Sequence, residues 1–560
     1  MSFLKSSQNK YSFYKIIIFA SIFLSGCATY NQGVNDGLTR METGDYKGSI
    51  AAFQKNLADD GNDRLLYHME LGLLHHLNGD YNKSNERLSQ ADKIAEKLFT
   101  TSVTGALVVG VSNPRNGPYR GTDFEKVFIH YYRSLNYLFL AGQSDKNRLN
   151  NLEASAIEVR KVDILLADIA NQKGSYDELQ NTKKGDFFKI KKIFSDLYSG
   201  FRMTDDFVYR EDAYLRYLSG VIYEINGELD DARISYQKAA ELYEKGVSKQ
   251  YALGEGVIEQ AWFDVIRLML RIGGFDNRVS ELSKNKLSME KREELKDIGN
   301  DDVPVFIIQH LGKVQQKEEM NLHLTLHTRV KNMVIRPVLS GTREQKQDQL
   351  AWFTALYAGH GLLNVAYNYR SGKLLGVIDG VHSKIIPVAP VWGIIKSMRL
   401  DESLAGLGVR VTVPYYPPIK NNYSASTLSV DGAALGELVD ASSISDLALQ
   451  EQLLNANREL KEAMTRAIIK NHLAQKTANQ MGLGGLSFLA GSLVSGATSA
   501  AETRSWLTLP ERVRVKRLML TPGRHTIEVM TRMKDSGKVK LYGQEIEVEK
   551  GKINIIKFRS

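Results

Sequence analysis

Apolar residues recur at two different periods along this chain, and the change of period divides it. From Asp36 to about residue 275 the spacing is helical: Phe124, Phe128, Tyr131 or Tyr132, Leu135 and Leu138 form one stripe. Thr122 or Asp123 is placed to cap the start of that helix, and "LEASAIEVRKVDILL" from Leu152 continues the helical pattern. Residues 276–302 are charged and polar, which reads as a linker or a solvated helix. From Pro304 the period drops to two. "VPVFIIQHLGK", "LHLTLHTRV", "NMVIRPVLS", "LLNVAYNYR" and "GLGVRVTVPYYPP" alternate or run apolar between Pro and Gly punctuation, so 303–440 is predicted to be mainly β. Ser445–Gln480 returns to the helical period, with Leu449, Leu453, Leu460, Met464, Ile468 and Leu473 assigned to one face. Residues 481–501 are uncharged and rich in Gly and Ser, and 502–560 alternate again as a C-terminal β module. The expected fold class is α+β and multidomain: helices at 27–275, then mainly β structure with one long helix at 441–480, then β strands to the end.

The helical part repeats itself. "DGLTRMETGDYKGSIAAFQ" from Asp36 matches "LGLLHHLNGDYNKSNERLS" from Leu71 at an offset of 35 residues, pairing Gly37 with Gly72, Gly44 with Gly79, Tyr46 with Tyr81 and Phe53 with Leu88. A third copy, "SGVIYEINGELDDARISYQKAAELY" from Ser219, keeps Gly220, Gly227, Ala232, Tyr236 and Ala239 at the same internal spacings. This resembles the tetratricopeptide repeat, a helix–turn–helix unit of about 34 residues. The first Gly of each pair lets two helices approach, the second sits at the turn, and small residues leave room for an aromatic partner. One such unit cannot bury its own apolar face, so neighbours must stack. A long insertion before the third copy makes the domain irregular. The first helices, 66–77 and 213–225, are the expected partner-binding rows.

The start of the chain changes the picture. Lys5, Lys10 and Lys15 precede a nine-residue apolar run, Ile16 to Leu24. That length suits a signal-peptide core and is too short to span a bilayer. Leu24-Ser25-Gly26-Cys27 follows, which resembles the bacterial lipobox, so residues 1–26 are expected to be removed and Cys27 to carry lipid as the membrane anchor. Acyl chains bind membrane at roughly 0.8 kcal/mol per buried CH2, so three of them hold firmly. Ala28 in place of Asp favours the outer membrane over the inner one by the same resemblance, facing the periplasm. Cys27 is the single cysteine of 560 residues, so intrachain disulfides and thiolate-ligated zinc or iron–sulfur sites are excluded. The formal charge of +9 includes three from the leader lysines and leaves a mildly basic mature chain. Residues 501–560 hold fourteen Lys or Arg against seven Asp or Glu. In an exported lipoprotein this suits anionic lipid or polysaccharide surfaces, and nucleic acid is not expected as a partner.

Four stretches together resemble the tetratricopeptide-containing bacterial lipoproteins of unassigned function: "YRGTDFEKVFIHYYRSLNYL" at 119–138, "AIEVRKV" at 156–162, "YLSGVIYEINGELDDARISYQKA" at 217–239 and "ETRSWLTLPERVRVKRLMLTPGRHTI" at 502–527. The specific elements are Tyr119-x-Gly121-x-Asp123-Phe124-Glu125 and Thr503-Arg504-Ser505-Trp506-x-x-Leu509-Pro510. The chain departs from the family at 141–155, where a shorter turn is usual. The resemblance implies an envelope lipoprotein and no particular reaction.

Asp123, Glu125, His130, Tyr131, Tyr132 and Arg160 form the densest polar set, read as a structural network ahead of a ligand site or catalysis. Arg160 is expected to pair with Asp123 or Glu125 across a helical hairpin, because a buried carboxylate needs a partner. His323 and His327 share one strand face with no third ligand, so exposed histidines are expected rather than metal. No Gly-x-Ser-x-Gly, His-Glu-x-x-His or phosphate-loop pattern occurs, and "GHG" at 359–361 has no nucleophile motif beside it. Trp506 is expected to anchor a joint by packing, with Arg504 stacking or pairing. The uncharged stretch 477–501 is assigned first to packing on the protein core, then to contact with a second copy of the chain or to membrane insertion. These features predict a non-enzymatic envelope scaffold with protein partners on its repeats and no cofactor beyond the lipid. The alternatives are a subunit of an envelope export assembly that uses 481–500, and a glycan hydrolase.

Overall fold

A computed structural model describes residues 30–100, 114–172, 212–248, 251–299, 301–357, 383–404, 408–418, 423–480, 500–534 and 536–560. The lipobox with Cys27, the predicted strand at 362–370, the tripeptide at 359–361 and residues 481–499 lie outside them. Among the described residues, no helix is long and apolar enough to cross a membrane.

The fold is α+β and multidomain. Three helical hairpins carry the three repeat copies: α1 (Tyr30–Glu42) with α2 (Tyr46–Asn56), α3 (Arg64–Leu77) with α4 (Tyr81–Thr100), and α7 (Ala213–Ile225) with α8 (Leu229–Leu242). Between the second and third lies a fourth hairpin, α5 (Asp123–Gln143) and α6 (Arg148–Gln172), and α9 (Gly256–Ile272) follows. The repeat glycines do one job three times. A Cβ on Gly37, Gly72 or Gly220 would lie 2.5, 2.6 or 2.5 Å from the side chain of Phe53, Leu88 or Tyr236, each sixteen residues on. Gly44, Gly79 and Gly227 take the turns at φ of 82°, 80° and 83°, where a Cβ is strained. Gly220→Ala is therefore expected to destabilise the third hairpin by about 1–3 kcal/mol through overpacking against Tyr236, as read by urea unfolding. An unchanged midpoint would show that the two helices can separate freely.

The polar stretch 276–302 is two short docked helices, α10 (Asp276–Lys286) and α11 (Met289–Lys296), with Leu282 and Leu287 buried. A central sheet of order β12-β1-β9-β8 comes next in space, formed by β1 (Val303–Leu311), β8 (Val439–Ser443), β9 (Arg512–Leu520) and β12 (Ile555–Arg559). β12 runs parallel to β1 at the sheet edge, and β9 runs antiparallel on the other side. An outer sheet of order β11-β10-β6-β7 packs on one face, built from β6 (Tyr423–Val430), β7 (Ala433–Glu437), β10 (Gly523–Met533) and β11 (Val539–Val548). Val303, Val305, Ile307, Leu518, Ile556 and Phe558 meet Leu428, Ile527 and Val529 there. The alternate residues Phe306, Ile308, Val513 and Val515 face the helices and join their core. The near-continuous apolar run of β1 follows from burial on both faces.

This topology cuts across one expected boundary. The strands of 502–560 form no sheet of their own, because β9 and β12 flank β1 while β10 and β11 extend from β6. A strand as apolar as β1 needs a partner on both sides, and the end of the chain supplies both.

A third sheet, order β4-β3-β2-β5, contains β2 (Glu318–His327), β3 (Asn332–Val338), β4 (Lys384–Pro387) and β5 (Val409–Tyr415). It is covered by α12 (Arg343–Tyr357) and α13 (Ile444–Gln480), with the rings of Trp352 and Tyr415 centred 6.3 Å apart. Leu449, Leu453, Leu460, Met464 and Ile468 of α13 are buried, but Leu473 is exposed, since five residues after Ile468 is off the stripe.

Candidate functional site at the repeat–sheet joint

The two sequence elements singled out by their motifs come together in space. Tyr119 to Glu125 opens α5, and Thr503 to Pro510 runs as an irregular strap between the repeats and the central sheet. Glu125 reaches back to the Thr122 amide at 2.7 Å, the carboxylate half of a capping box. The same carboxylate accepts from the Tyr119 hydroxyl at 2.6 Å and from the Trp506 amide at 2.8 Å. Glu70, buried on α3, accepts from the amides of Leu507 and Thr508 at 2.8 and 3.0 Å and from the Thr508 hydroxyl at 2.6 Å. Three successive strap amides thus end on two helix carboxylates. A strap that pairs with no strand needs such acceptors for its buried amides.

Arg504 closes the near end. Its guanidinium donates to Asp63 at 2.8 Å, to Glu502 at 2.5 Å and to the Gly117 carbonyl at 3.0 Å, and lies 5.6 Å from the centre of the Tyr119 ring. Trp506 is fully buried, its indole N–H donating to the Thr508 hydroxyl at 3.0 Å and its ring 5.9 Å from that of Tyr132. Pro510 is buried just before β9. Gly121 sits at φ 71° beside Leu65, and Phe124 is buried. Arg115 ties the strap to the third sheet through the Ala501 carbonyl and Glu319, both at 3.0 Å.

The polar set of α5 divides. His130 bonds Glu158 at 2.6 Å and lies 3.3 Å from Asp92, and Arg133 bonds both carboxylates. Burial works against a charged imidazole there, but the hydrogen bonds to Asp92 and Glu158 prevail and raise its pKa. Arg160 does not reach Asp123 or Glu125. It pairs with Glu228 at 2.8 Å on the surface, while Asp123 faces Lys126 at 3.6 Å and Glu125 is spent on the strap. The contact between α5 and α6 runs instead through Glu158, which takes His130 and Arg133, and Arg160 stays half exposed. His323 is half-buried and His327 exposed on alternate positions of β2, and among the described residues no group of His, Cys, Asp and Glu is gathered to hold a metal ion.

A second joint escaped sequence reading. Arg517 of β9 points at the third repeat, where its guanidinium meets Asp264 at 3.2 Å, Glu224 at 3.3 Å and the Tyr236 hydroxyl at 2.5 Å. Arg267 bonds Glu224 through both amino groups at 2.8 and 2.7 Å and reaches Asp264 at 3.0 Å. Tyr217 donates to Asp264 as well. The spacing Glu224, Tyr236, Asp264, Arg267 runs over three helices, so no local motif marks it. Burial pushes the Glu224 carboxyl up, but the Arg267 and Arg517 guanidiniums outweigh it and hold it at about 2. Such a depressed carboxylate contributes stability in full above its unfolded pKa of about 4.5, and loses it as pH falls toward 2. Between pH 5 and pH 3 the native chain should lose unfolding free energy more steeply than Glu224→Gln. Parallel profiles would show that the pair is not ionised.

The first helices of the repeats, expected to face a partner, are covered instead. Leu65 to His76 of α3 and Tyr214 to Glu224 of α7 are buried almost without break, because the strap and the central sheet occupy the groove. The exposed repeat surface lies on second helices, with Gln54, Lys83 and Glu86 open to solvent, and on the outer side of α1, with Asp36 and Thr39. No protein-family model matches this chain, and no curated protein matches it.

Proposed function

We propose that this chain is a lipid-anchored, non-enzymatic scaffold of the bacterial envelope, tethered through Cys27 to the outer membrane and facing the periplasm. Partner proteins are engaged on the outer surface of the repeats. The observation that carries the reading is the filled groove. The helical region grips the chain's own strap and sheet, and its buried carboxylates Glu70, Glu125, Glu224 and Asp264 are engaged by amides, hydroxyls and arginines. Carboxylates so engaged are poor general acids or bases, which argues against a glycan hydrolase. A body locked in this way suits a platform that holds a partner at a fixed distance from a membrane.

Photo-crosslinkers at Gln54 and Lys83, in cells, test this directly. A discrete adduct to one envelope protein is expected, lost when Cys27→Ala removes the anchor. Diffuse or absent adducts at both positions, or peptidoglycan turnover by the purified chain abolished by one carboxylate change, would overturn it.

A further inference from the structure

The helix-facing side of β12 carries two cations that the interface leaves without a counter-ion. Lys557 and Arg559 are alternate residues of this edge strand, paired with Ile308 and His310 of β1, so both point at the repeats. Arg517, on the same face two strands away, has Glu224 and Asp264. Lys557 donates to the His76 carbonyl at 2.9 Å, and Arg559 to the Thr508 carbonyl at 3.2 Å. Among the described residues neither forms an ion pair. Glu42, whose charge reaches Arg559, is already bonded to Lys313 at 2.8 Å.

The surroundings are built, not accidental. The ammonium of Lys557 lies 4.7 and 5.0 Å from the ring centres of Tyr81 and Phe139. Tyr46, the equivalent of Tyr81 one repeat earlier, lies with Tyr132 and Tyr423 within electrostatic reach of Arg559. Two consecutive repeats therefore each bring a tyrosine to one of two alternate strand residues. Three buried atoms at this place have no hydrogen-bond partner: Arg559 Nη1, Tyr132 Oη and His76 Nε2. The His76 ring is 5.1 Å from that of Tyr132, and its Nδ1 bonds the Asn136 side-chain oxygen at 2.6 Å. That bond places the proton on Nδ1 and leaves Nε2 a bare acceptor. Both strand cations remain half-buried rather than sealed, at the open edge of the sheet.

A cluster with three kinds of donor, two of them cationic, and one acceptor fits a partly protonated oxyanion. We infer that Lys557, Arg559, Tyr132 and His76 form a binding site for a hydrogen phosphate group, either inorganic phosphate or a phosphomonoester. The cations and the tyrosine hydroxyl receive its charged oxygens, and His76 Nε2 accepts its P–OH. Burial alone lowers Lys557 to about 7 and lowers Arg559, which is the behaviour of cations awaiting an anion. The inference does not depend on the scaffold reading.

Isothermal titration of the detergent-purified full chain with inorganic phosphate at pH 6.5 tests it. One saturable site is expected. Sulfate at equal ionic strength, which has no proton to give His76, should bind about tenfold more weakly. Arg559→Gln and Lys557→Met should each weaken phosphate by at least about tenfold. Tyr132→Phe, which removes one hydroxyl and keeps the packing, carries the test if the charge variants do not fold. A second titration with short-chain phosphatidate separates the sources: tighter binding than inorganic phosphate assigns the site to a lipid phosphomonoester, equal or weaker binding to a soluble one. Absence of saturable phosphate binding, or unchanged affinity in folded variants, would mean that ordered water fills the cluster and would overturn the site.

Discussion

Arg517→Met is expected to lower the unfolding free energy by about 3–5 kcal/mol, the cost of removing one partner from a buried ionic cluster. The side chains of Arg517, Glu224, Asp264 and Arg267 are each 6% exposed or less, so water cannot take over the lost role. Two carboxylates would be left with the buried Arg267 and the more distant, exposed Arg271 at 3.8 Å from Glu224, and the Tyr236 hydroxyl would lose the donor at 2.5 Å. The guanidinium, 5.2 Å from the centre of the Phe306 ring, is lost with its charge, while methionine roughly replaces the volume of the arginine stem, so the loss is mostly electrostatic. Adding Glu224→Gln to Arg517→Met should recover part of it, since the excess negative charge is removed, and a double-mutant cycle over denaturant unfolding gives the coupling. A loss under about 1 kcal/mol for the single variant would show that the cluster admits water and does not hold the sheet to the third repeat.

The parts legible in the sequence are those where one short segment contains its own reason. The repeat pattern is such a case: a glycine, an aromatic or leucine sixteen residues later, and a second glycine at the turn between them are all local. The long helix α13 shows itself by its stripe, and misassigns only Leu473, where the period was stretched. The alternation of 303–440 marks β2, β3 and β5, but α12 interrupts it with a helix whose apolar residues face the third sheet.

What the sequence hides is pairing between distant segments. Alternation in β9, β10, β11 and β12 says strand and does not say whose neighbour each will be. The answer lies in β1, some two hundred residues earlier, whose two apolar faces demand partners on both edges. The candidate site is hidden for the same reason. Glu70 stands in a helical run with no motif around it, and its partners are backbone amides more than four hundred residues away. Arg160 finds its carboxylate outside its own hairpin, where the third repeat supplies Glu228. Repeats alone predict a groove open to another protein; nothing within Thr503–Pro510 marks that segment as the occupant of the groove.

Replacing Glu70 with alanine should release that strap. The amides of Leu507 and Thr508 and the Thr508 hydroxyl would lose their acceptor in a place closed to water. Each buried donor left alone costs about 1–3 kcal/mol, so the three together predict a loss of about 3–9 kcal/mol, with Glu70→Gln losing roughly half because one carbonyl oxygen remains. Glu125 still holds the Trp506 amide, and Arg504 still holds the near end, so the damage should be local before it is global. Hydrogen exchange distinguishes the two. The amides of Leu507 and Thr508 should exchange about a hundredfold faster or more in Glu70→Ala, while α9 and the third repeat, held by the Arg517 cluster, keep their protection at first. Loss of the strap also uncovers α3, whose buried row of Leu66, Met69 and Leu73 would then face solvent. Binding of an apolar dye by the folded variant, absent in the native chain, reports that exposure. Unchanged exchange at Leu507 and Thr508 would show that the strap is held by the packing of Trp506 alone, and that the carboxylate on α3 is incidental to the joint.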